Sequence, residues 1–247
     1  MPILVLPSPT FSRIRRPVLS AFLIFILFGC TTPTQVDVKH KEKLEQYSLE
    51  VYDTLPPSKV FKVSKINSIL RVYVGREGPL SNLGHNHVIS SKNLSGYIYL
   101  PDNEDNAFAD LNILVHDLIV DDIEERSLAG EDNISTLSDS NITNTLANML
   151  NRDVLDAANY PEVSIHIQLT ELIGENAQFN IVLNFKDNRI PLRLTGTLVR
   201  DGNQLTIESQ FELDHQQLSI RQFATLGGAL RVAETLGFQL LVSAESQ

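Results

Sequence analysis

Residues 163–213 decide the fold, and they read VSIHIQLTELIGENAQFNIVLNFKDNRIPLRLTGTLVRDGNQLTIESQFEL. Four runs in this stretch carry apolar residues at alternate positions, and they begin at Val163, Phe179, Ile190 and Leu205. Turn-forming segments separate the runs: Gly-Glu-Asn at 174–176, Lys-Asp-Asn at 186–188 and Asp-Gly-Asn at 201–203. A period of two buries one face of a strand and leaves the other in water. The pattern therefore indicates antiparallel strands joined by hairpins.

The same alternation extends to residues 109–115 and 236–242, so strands account for most of the chain. Many such strands hide their edges by forming a sandwich or a closed barrel, which predicts an all-β fold. One stretch, residues 139–155, instead has apolar residues at helical spacing after a potential cap at Ser138. These residues are Ile142, Leu146, Met149 and Leu150. We therefore expect one short helix that crosses or plugs the β structure.

An acidic, Ser/Asn-rich segment at residues 121–140 precedes this helix. It contains a charge run made of Asp121, Asp122, Glu124 and Glu125. Runs of like charge usually form a solvated face, so we interpret the segment as an exposed loop.

The N-terminal region resembles a bacterial lipoprotein signal. Three arginines precede the apolar residues 19–28, and the single cysteine of the chain, Cys30, follows. A basic flank and a short apolar run are typical of a secretory signal, and the run is about half the ~20 residues of a spanning helix. We predict a signal peptide at 1–29, lipidation (for example by palmitate) at Cys30, a lipid-anchored tether at 30–57 and one domain at 58–247. This predicts a protein of the bacterial cell envelope, anchored to a membrane and facing the periplasm. By resemblance to other lipoproteins, Thr31 favours the outer membrane.

The charge balance argues against nucleic acid as a partner. The chain has 20 basic and 30 acidic side chains, and three of the basic ones lie in the predicted signal. Binding to phosphates requires clustered Lys and Arg, which an acidic chain lacks. No second cysteine is present for an intrachain disulfide, and no Gly-x-Ser-x-Gly elbow or phosphate-binding glycine loop occurs. We predict no catalytic residues and no cofactor.

His85 and His87 are the candidate site residues, within the segment Gly84-His85-Asn86-His87. In an extended segment both imidazoles lie on one face, a spacing that can bind a divalent metal. Potential third ligands are His116, Asp117, His166, Asp214 and His215. The residues leave three interpretations open: a metal site, a structural turn, or a polar lid in which His85, Asn86 and His87 contact the headgroup of a ligand. We interpret His116 and His166 as ordinary surface histidines on polar faces, whereas His215 continues the inward series from Leu213 and is expected at a barrel mouth.

Four segments, read in order, resemble the YceI-like family. They are residues 78–88 with the Gly-His-Asn-His motif, 148–163 with Tyr-Pro-Glu-Val, 190–198 with Ile-Pro-Leu-Arg-Leu-Thr-Gly-Thr-Leu, and 226–230 with Leu-Gly-Gly-Ala-Leu. The resemblance covers residues from about 58 to the C-terminus. It implies an antiparallel, lipocalin-like barrel of about eight strands around an elongated apolar cavity. Members of the family are described as periplasmic binders of polyisoprenoid chains, including isoprenoid quinones.

The resemblance therefore implies a membrane-tethered, non-enzymatic binding protein for an isoprenoid or a related apolar lipid. Two alternatives remain at this point. One is a metal-dependent periplasmic enzyme or metal-binding protein that uses His85 and His87. The other is an interaction module with a filled core, because inward Leu, Ile, Val and Phe can either fill a barrel or line a cavity.

Overall fold

The computed structural model describes residues 49–130 and 137–246. The predicted signal peptide, Cys30 and most of the predicted tether lie outside the described residues. The strands are β1 Val60–Val63, β2 Ile69–Glu77, β3 His87–Ser91, β4 Leu94–Tyr99, β5 Phe108–Leu114, β6 Ile119–Val120, β7 Glu162–Ile173, β8 Asn176–Phe185, β9 Asn188–Asp201, β10 Gln204–Asp214, β11 Ala224–Thr225 and β12 Leu230–Ser246. The α-helices are α1 Ile123–Leu128 and α2 Asp139–Leu150. None of the helices in these residues combines the length and the apolarity that crossing a membrane requires.

Eight strands close into an antiparallel barrel in the order β1-β4-β5-β7-β8-β9-β10-β12, and β12 pairs back onto β1. The long strand β12 makes this closure possible. Its last residues pair with β1, whereas residues 231–241 pair with β2. Strands β3 and β6 continue the sheet outward from β2. The prediction of an all-β, antiparallel barrel of about eight strands is confirmed.

One end of the barrel is tightly packed. Phe61, Leu94, Leu111, Leu205 and Val242 point inward from five different strands, and each is at most 1% exposed. Apolar burial contributes roughly 25 cal/mol per Å². This end therefore carries a large share of the stability of the fold.

The helices differ from the prediction in number and length. α2 ends at Leu150 rather than 155, because the chain turns back and the N–H groups of Leu155 and Ala157 donate to the carbonyls of Met149 and Leu150. The cap predicted at Ser138 is confirmed, since its Oγ accepts from the N–H of Asn141 at 3.2 Å. A second helix, α1, lies inside the segment that we interpreted as an exposed loop, which corrects that prediction for residues 121–130.

A short 3-10 helix, Leu49–Thr54, packs on the outer wall of the barrel. Its Tyr52 is 4% exposed and lies between the rings of Tyr97 and Phe108, at 5.2 and 5.4 Å between centroids. The Tyr52 hydroxyl donates to Asp110 at 2.8 Å, and Nδ1 of His166 lies 2.7 Å from the other carboxylate oxygen. The predicted tether thus overlaps the folded domain near its end. His166 belongs to this buried group and is not a plain surface residue.

Candidate functional site

The other end of the barrel encloses a cavity of about 310 Å³. Its wall consists of residues from β5, β7, β8, β9, β10 and β12 of the barrel together with residues from β2 and β3, and all but five of its lining residues are apolar. The strand residues include Leu70, Val72, Val74, Leu183, Leu192, Leu194, Phe211 and Phe238. These eight are only partly buried although they line the cavity. The interior is therefore packed at one end and hollow at the other.

Two aromatic rings form a flat apolar surface in the cavity. Phe211 on β10 and Phe238 on β12 are direct neighbours in the sheet register. Their rings stack with centroids 5.1 Å apart and an angle of 3° between planes. Aromatic faces offer a large contact area to an apolar ligand without hydrogen-bonding demands.

The cavity is covered by α2, by the turn that follows it and by the loop after β10. α2 contributes Thr145, Asn148 and Met149, and the loop contributes Leu218 and Ile220. No residue of α2 is fully buried. An element with few buried contacts opens at a lower free-energy cost than the barrel strands, so this cover is the natural entrance, which we call the mouth.

Polar side chains in the wall are few, and two of them are histidines that sequence analysis singled out. The five polar lining residues are His87, Thr145, Asn148, His215 and Arg221. His87 is the first residue of β3, and its Nδ1 lies 2.6 Å from Oδ2 of Asp121. His215 is 8% exposed, and its Nδ1 lies 2.8 Å from the carbonyl oxygen of Glu234.

Asp121 holds the Gly-His-Asn-His segment in place. It has a left-handed backbone (φ 58°), a conformation in which Asp and Asn are enriched. Its Oδ1 accepts from the Val88 N–H at 3.0 Å and from Arg126 at 2.6 Å, and Arg126 also donates to the carbonyl of Asn86 at 2.8 Å. Burial opposes ionisation of Asp121, but the hydrogen bonds from His87, Val88 and Arg126 outweigh it and hold its pKa below the ordinary value. These contacts fix the orientation of the His87 ring.

Glu125 forms a second buried ion group beside the first. It is 2% exposed and lies 2.5 Å from Nε of Arg71 and 3.1 Å from Nζ of Lys92. The interpretation of the acidic run as a solvated face is therefore wrong for Asp121 and Glu125. Both can be buried because cations neutralise them. Arg126 of α1 pairs with Asp121, and Arg71 of β2 and Lys92 pair with Glu125.

The structure separates the predicted site residues. His87 lines the cavity, whereas His85 is half-buried in the preceding loop and is absent from the lining. Among the residues that the structure describes, the group of three side chains close enough to share a metal ion is Asp122, Glu124 and Glu125, and no histidine belongs to it. His116 is exposed. Within this part of the chain, the third ligands considered for His85 and His87 are not brought to them.

No family model matches the sequence, and no curated protein matches it. The structure is similar to that of BcnA from Burkholderia cenocepacia, with a TM-score of 0.52 and 12% identity over 73% of this chain and 98% of that chain. A Campylobacter jejuni YceI protein is also similar, with a TM-score of 0.46 and 11% identity over 64% of this chain and 84% of that chain. The chain has a YceI-like barrel fold, as the sequence resemblance predicted.

Proposed function

We propose that this protein is a membrane-tethered periplasmic binding protein that holds an isoprenoid or related apolar lipid in the hollow end of its barrel. The observation that carries the proposal is the apolar cavity. At about 310 Å³ it lies at the lower end of the range of ligand pockets. Such a wall suits a hydrocarbon chain, because a chain without donors or acceptors leaves no buried polar group unpaired.

The energetics favour a slender apolar ligand. Every 100 Å² of apolar ligand surface that leaves water contributes roughly 2.5 kcal/mol. The stacked pair Phe211 and Phe238 and the half-buried aliphatic wall offer that surface before the ligand arrives. A preformed pocket of this kind needs no catalytic group to bind tightly.

Attachment to a membrane is the second part of the proposal, and the N-terminal sequence supports it. The arginine flank, the apolar residues 19–28 and Cys30 are arranged as in lipoprotein signals. The lipid-anchored domain faces the periplasm, and Thr31 favours the outer membrane. A protein fixed to one membrane serves local storage or handover of a lipid better than transport between compartments.

Lipid extraction tests the binding function. The full chain is produced in a quinone-making bacterium and purified in detergent, and its solvent extract is analysed by mass spectrometry. We expect one stoichiometric lipid of several hundred daltons, while covalently attached acyl chains remain with the protein. The variant Leu192→Trp/Leu194→Trp fills the cavity and should lose that lipid. Thr195→Trp places the same side chain on the exposed face of β9 and should keep it. A wild-type extract without lipid, together with no uptake of added polyprenyl quinone, would refute the proposal.

Metabolic labelling tests the anchor. A clickable palmitate analogue should label the wild-type chain and should not label Cys30→Ala. Equal labelling of both would place the acyl chain elsewhere and contradict attachment at Cys30.

A further inference from the structure

The two histidines of the cavity wall are held in the same tautomer. Nδ1 of His87 faces the Asp121 carboxylate, and Nδ1 of His215 faces the backbone carbonyl of Glu234. Asp121 already accepts from Val88 and Arg126, so it acts as an ionised acceptor, and a carbonyl oxygen can only accept. Each Nδ1 therefore carries the hydrogen. In the neutral imidazole, Nε2 is then a bare acceptor.

Neither Nε2 atom is sealed in the protein interior without a partner. In each of the two rings, Nδ1 is the nitrogen that makes a hydrogen bond within the described residues. In the same residues, the buried side-chain nitrogen and oxygen atoms without a partner are Ser90 Oγ and Asn184 Oδ1, so neither Nε2 is buried and unpaired. Both rings line the cavity, whereas Asp121 does not. The ring edge opposite Nδ1 is thus the part presented to a ligand.

The register connects the two rings through three pairs of neighbouring strands. His87 is opposite Val74, Val74 is opposite Leu236, and Leu236 is opposite Leu213. Three steps between neighbouring strands span about 14 Å of wall. His215 follows Leu213 by two residues toward the mouth. The polar end of a ligand therefore lies near the mouth, and its tail extends toward the packed end.

The remaining polar side chains of the wall do not oppose a ligand that donates a hydrogen bond to the two histidines. Arg221 can only donate, but 77% of its side chain is exposed and it pairs with Asp153 at 3.4 Å. Solvent weakens the pull of such an exposed cation. Thr145 and Asn148 both donate and accept, so they serve either kind of ligand.

We infer that the cavity selects lipids whose polar end donates a hydrogen bond, such as an isoprenoid alcohol or hydroquinone, over those that only accept, such as an ether, ester or quinone. This rests on the proposed lipid-binding function. A hydroxyl group donates to Nε2, whereas an acceptor oxygen meets a lone pair and stays unpaired. One hydrogen bond of ordinary strength corresponds to a preference of roughly five- to tenfold.

A matched pair of ligands tests the inference on the full chain in detergent. Geranylgeraniol and its methyl ether share the tail and differ in the hydroxyl hydrogen, and titration calorimetry gives both affinities. We expect the alcohol to bind roughly five- to tenfold more tightly. Equal affinities, or tighter binding of the ether, overturn the inference and leave the proposed function standing. Binding of neither ligand refutes the proposed function itself.

Asp121→Asn reverses the direction of the hydrogen bond between residue 121 and His87. If Asp121 had a purely structural role, this reversal would not change the ligand preference. Asn tolerates the left-handed backbone, and its oxygen still accepts from Val88 and Arg126. Its amide then donates to Nδ1 of His87, which moves the ring hydrogen to Nε2. We expect the preference for the alcohol to shrink and ¹⁵N chemical shifts to report the changed tautomer. An unchanged preference together with the changed tautomer would contradict the inference.

A second set of variants decides the question even if Asp121→Asn does not fold. His87→Phe/His215→Phe keeps an aromatic ring at each position and removes both acceptors, so alcohol and ether should bind equally. His116→Phe is the control, because His116 is exposed and outside the cavity, and it should keep the wild-type ratio. A double variant that still prefers the alcohol by the wild-type ratio overturns the assignment.

Discussion

Tyr52 should control whether the N-terminal part of the domain stays on the barrel. It is the buried residue of the Leu49–Thr54 helix, while Leu49 and Val51 of the same helix are about 40% exposed. Tyr52 therefore supplies the buried contact of this helix through one ring and one hydroxyl. Tyr52→Phe removes the hydroxyl alone, and Tyr52→Ala removes both.

The contacts set the size of each effect. The hydroxyl donates to Asp110 at 2.8 Å, and a hydrogen bond to a carboxylate contributes about 1.5–3 kcal/mol. Tyr52→Phe should therefore raise the equilibrium population of the detached segment about ten- to a hundredfold. Losing the ring between Tyr97 and Phe108 costs a further 1.5–3 kcal/mol or so, which makes Tyr52→Ala the more severe variant.

Native-state hydrogen exchange measures this opening directly. The reporters are the N–H of Leu55, which donates to the carbonyl of Tyr52, and that of Lys59, which donates to Pro56. Both should exchange faster in Tyr52→Phe, while barrel amides such as that of Phe211 keep their protection. Val51→Ala is the control and should leave all rates unchanged. Wild-type exchange of Leu55 and Lys59 in Tyr52→Ala would refute the argument that Tyr52 holds the segment.

Three further predictions concern stability. The pKa of Asp121 lies below its ordinary value, so the ionised carboxylate stabilises the folded wild type above about pH 4. That stabilisation is lost as the pH falls through the folded-state pKa. Urea unfolding of Asp121→Asn should therefore show about 1.5–3 kcal/mol less stability at pH 7 and a weaker acid dependence. Gly196→Ala should lower the melting temperature, with a loss of about 1–3 kcal/mol, because its Cβ would lie 2.2 Å from the carbonyl oxygen of Glu208; an unchanged temperature would contradict the close approach. Phe61→Ala at the packed end should cost about 3–5 kcal/mol in urea unfolding, and Phe238→Ala at the cavity roughly half as much; equal losses would argue against a hollow end.

The strands were predictable because their signal is local. Alternation in residues 163–213 depends on the two faces of each strand, and the structure places β7 to β10 there. His215 was similarly predictable, since it continues the inward series from Leu213. The family resemblance implied a cavity, but the strand pattern could not show which end of the barrel is hollow. Leu205 and Phe211 lie on the same strand with the same apolar character, yet the first is fully buried and the second lines empty space. That difference depends on the residues that face them from other strands.

The polar part of the site was predicted only in part. His87 belongs to the cavity wall, but its partner Asp121 is 34 positions away and looked like one of several surface acids. Glu125 was misread for the same reason, because Arg71 is 54 positions away in sequence. A buried carboxylate is identified by the cationic side chains that pair with it, and most of these lie far from it in the sequence. The single arginine of the acidic segment 121–140, Arg126, directly follows the charge run and was the one available signal.

The division of the barrel into a packed end and a hollow end has a consequence for how the protein can change over evolutionary time. A substitution at Leu205 removes many contacts and is costly for folding. A substitution at Leu192, which lines the cavity and is only partly buried, reshapes the empty space. Changes at the hollow end can therefore alter which ligand the cavity accepts, without compensating substitutions elsewhere. Sequence drift among descendants of this chain should concentrate in the cavity wall and spare the packed end.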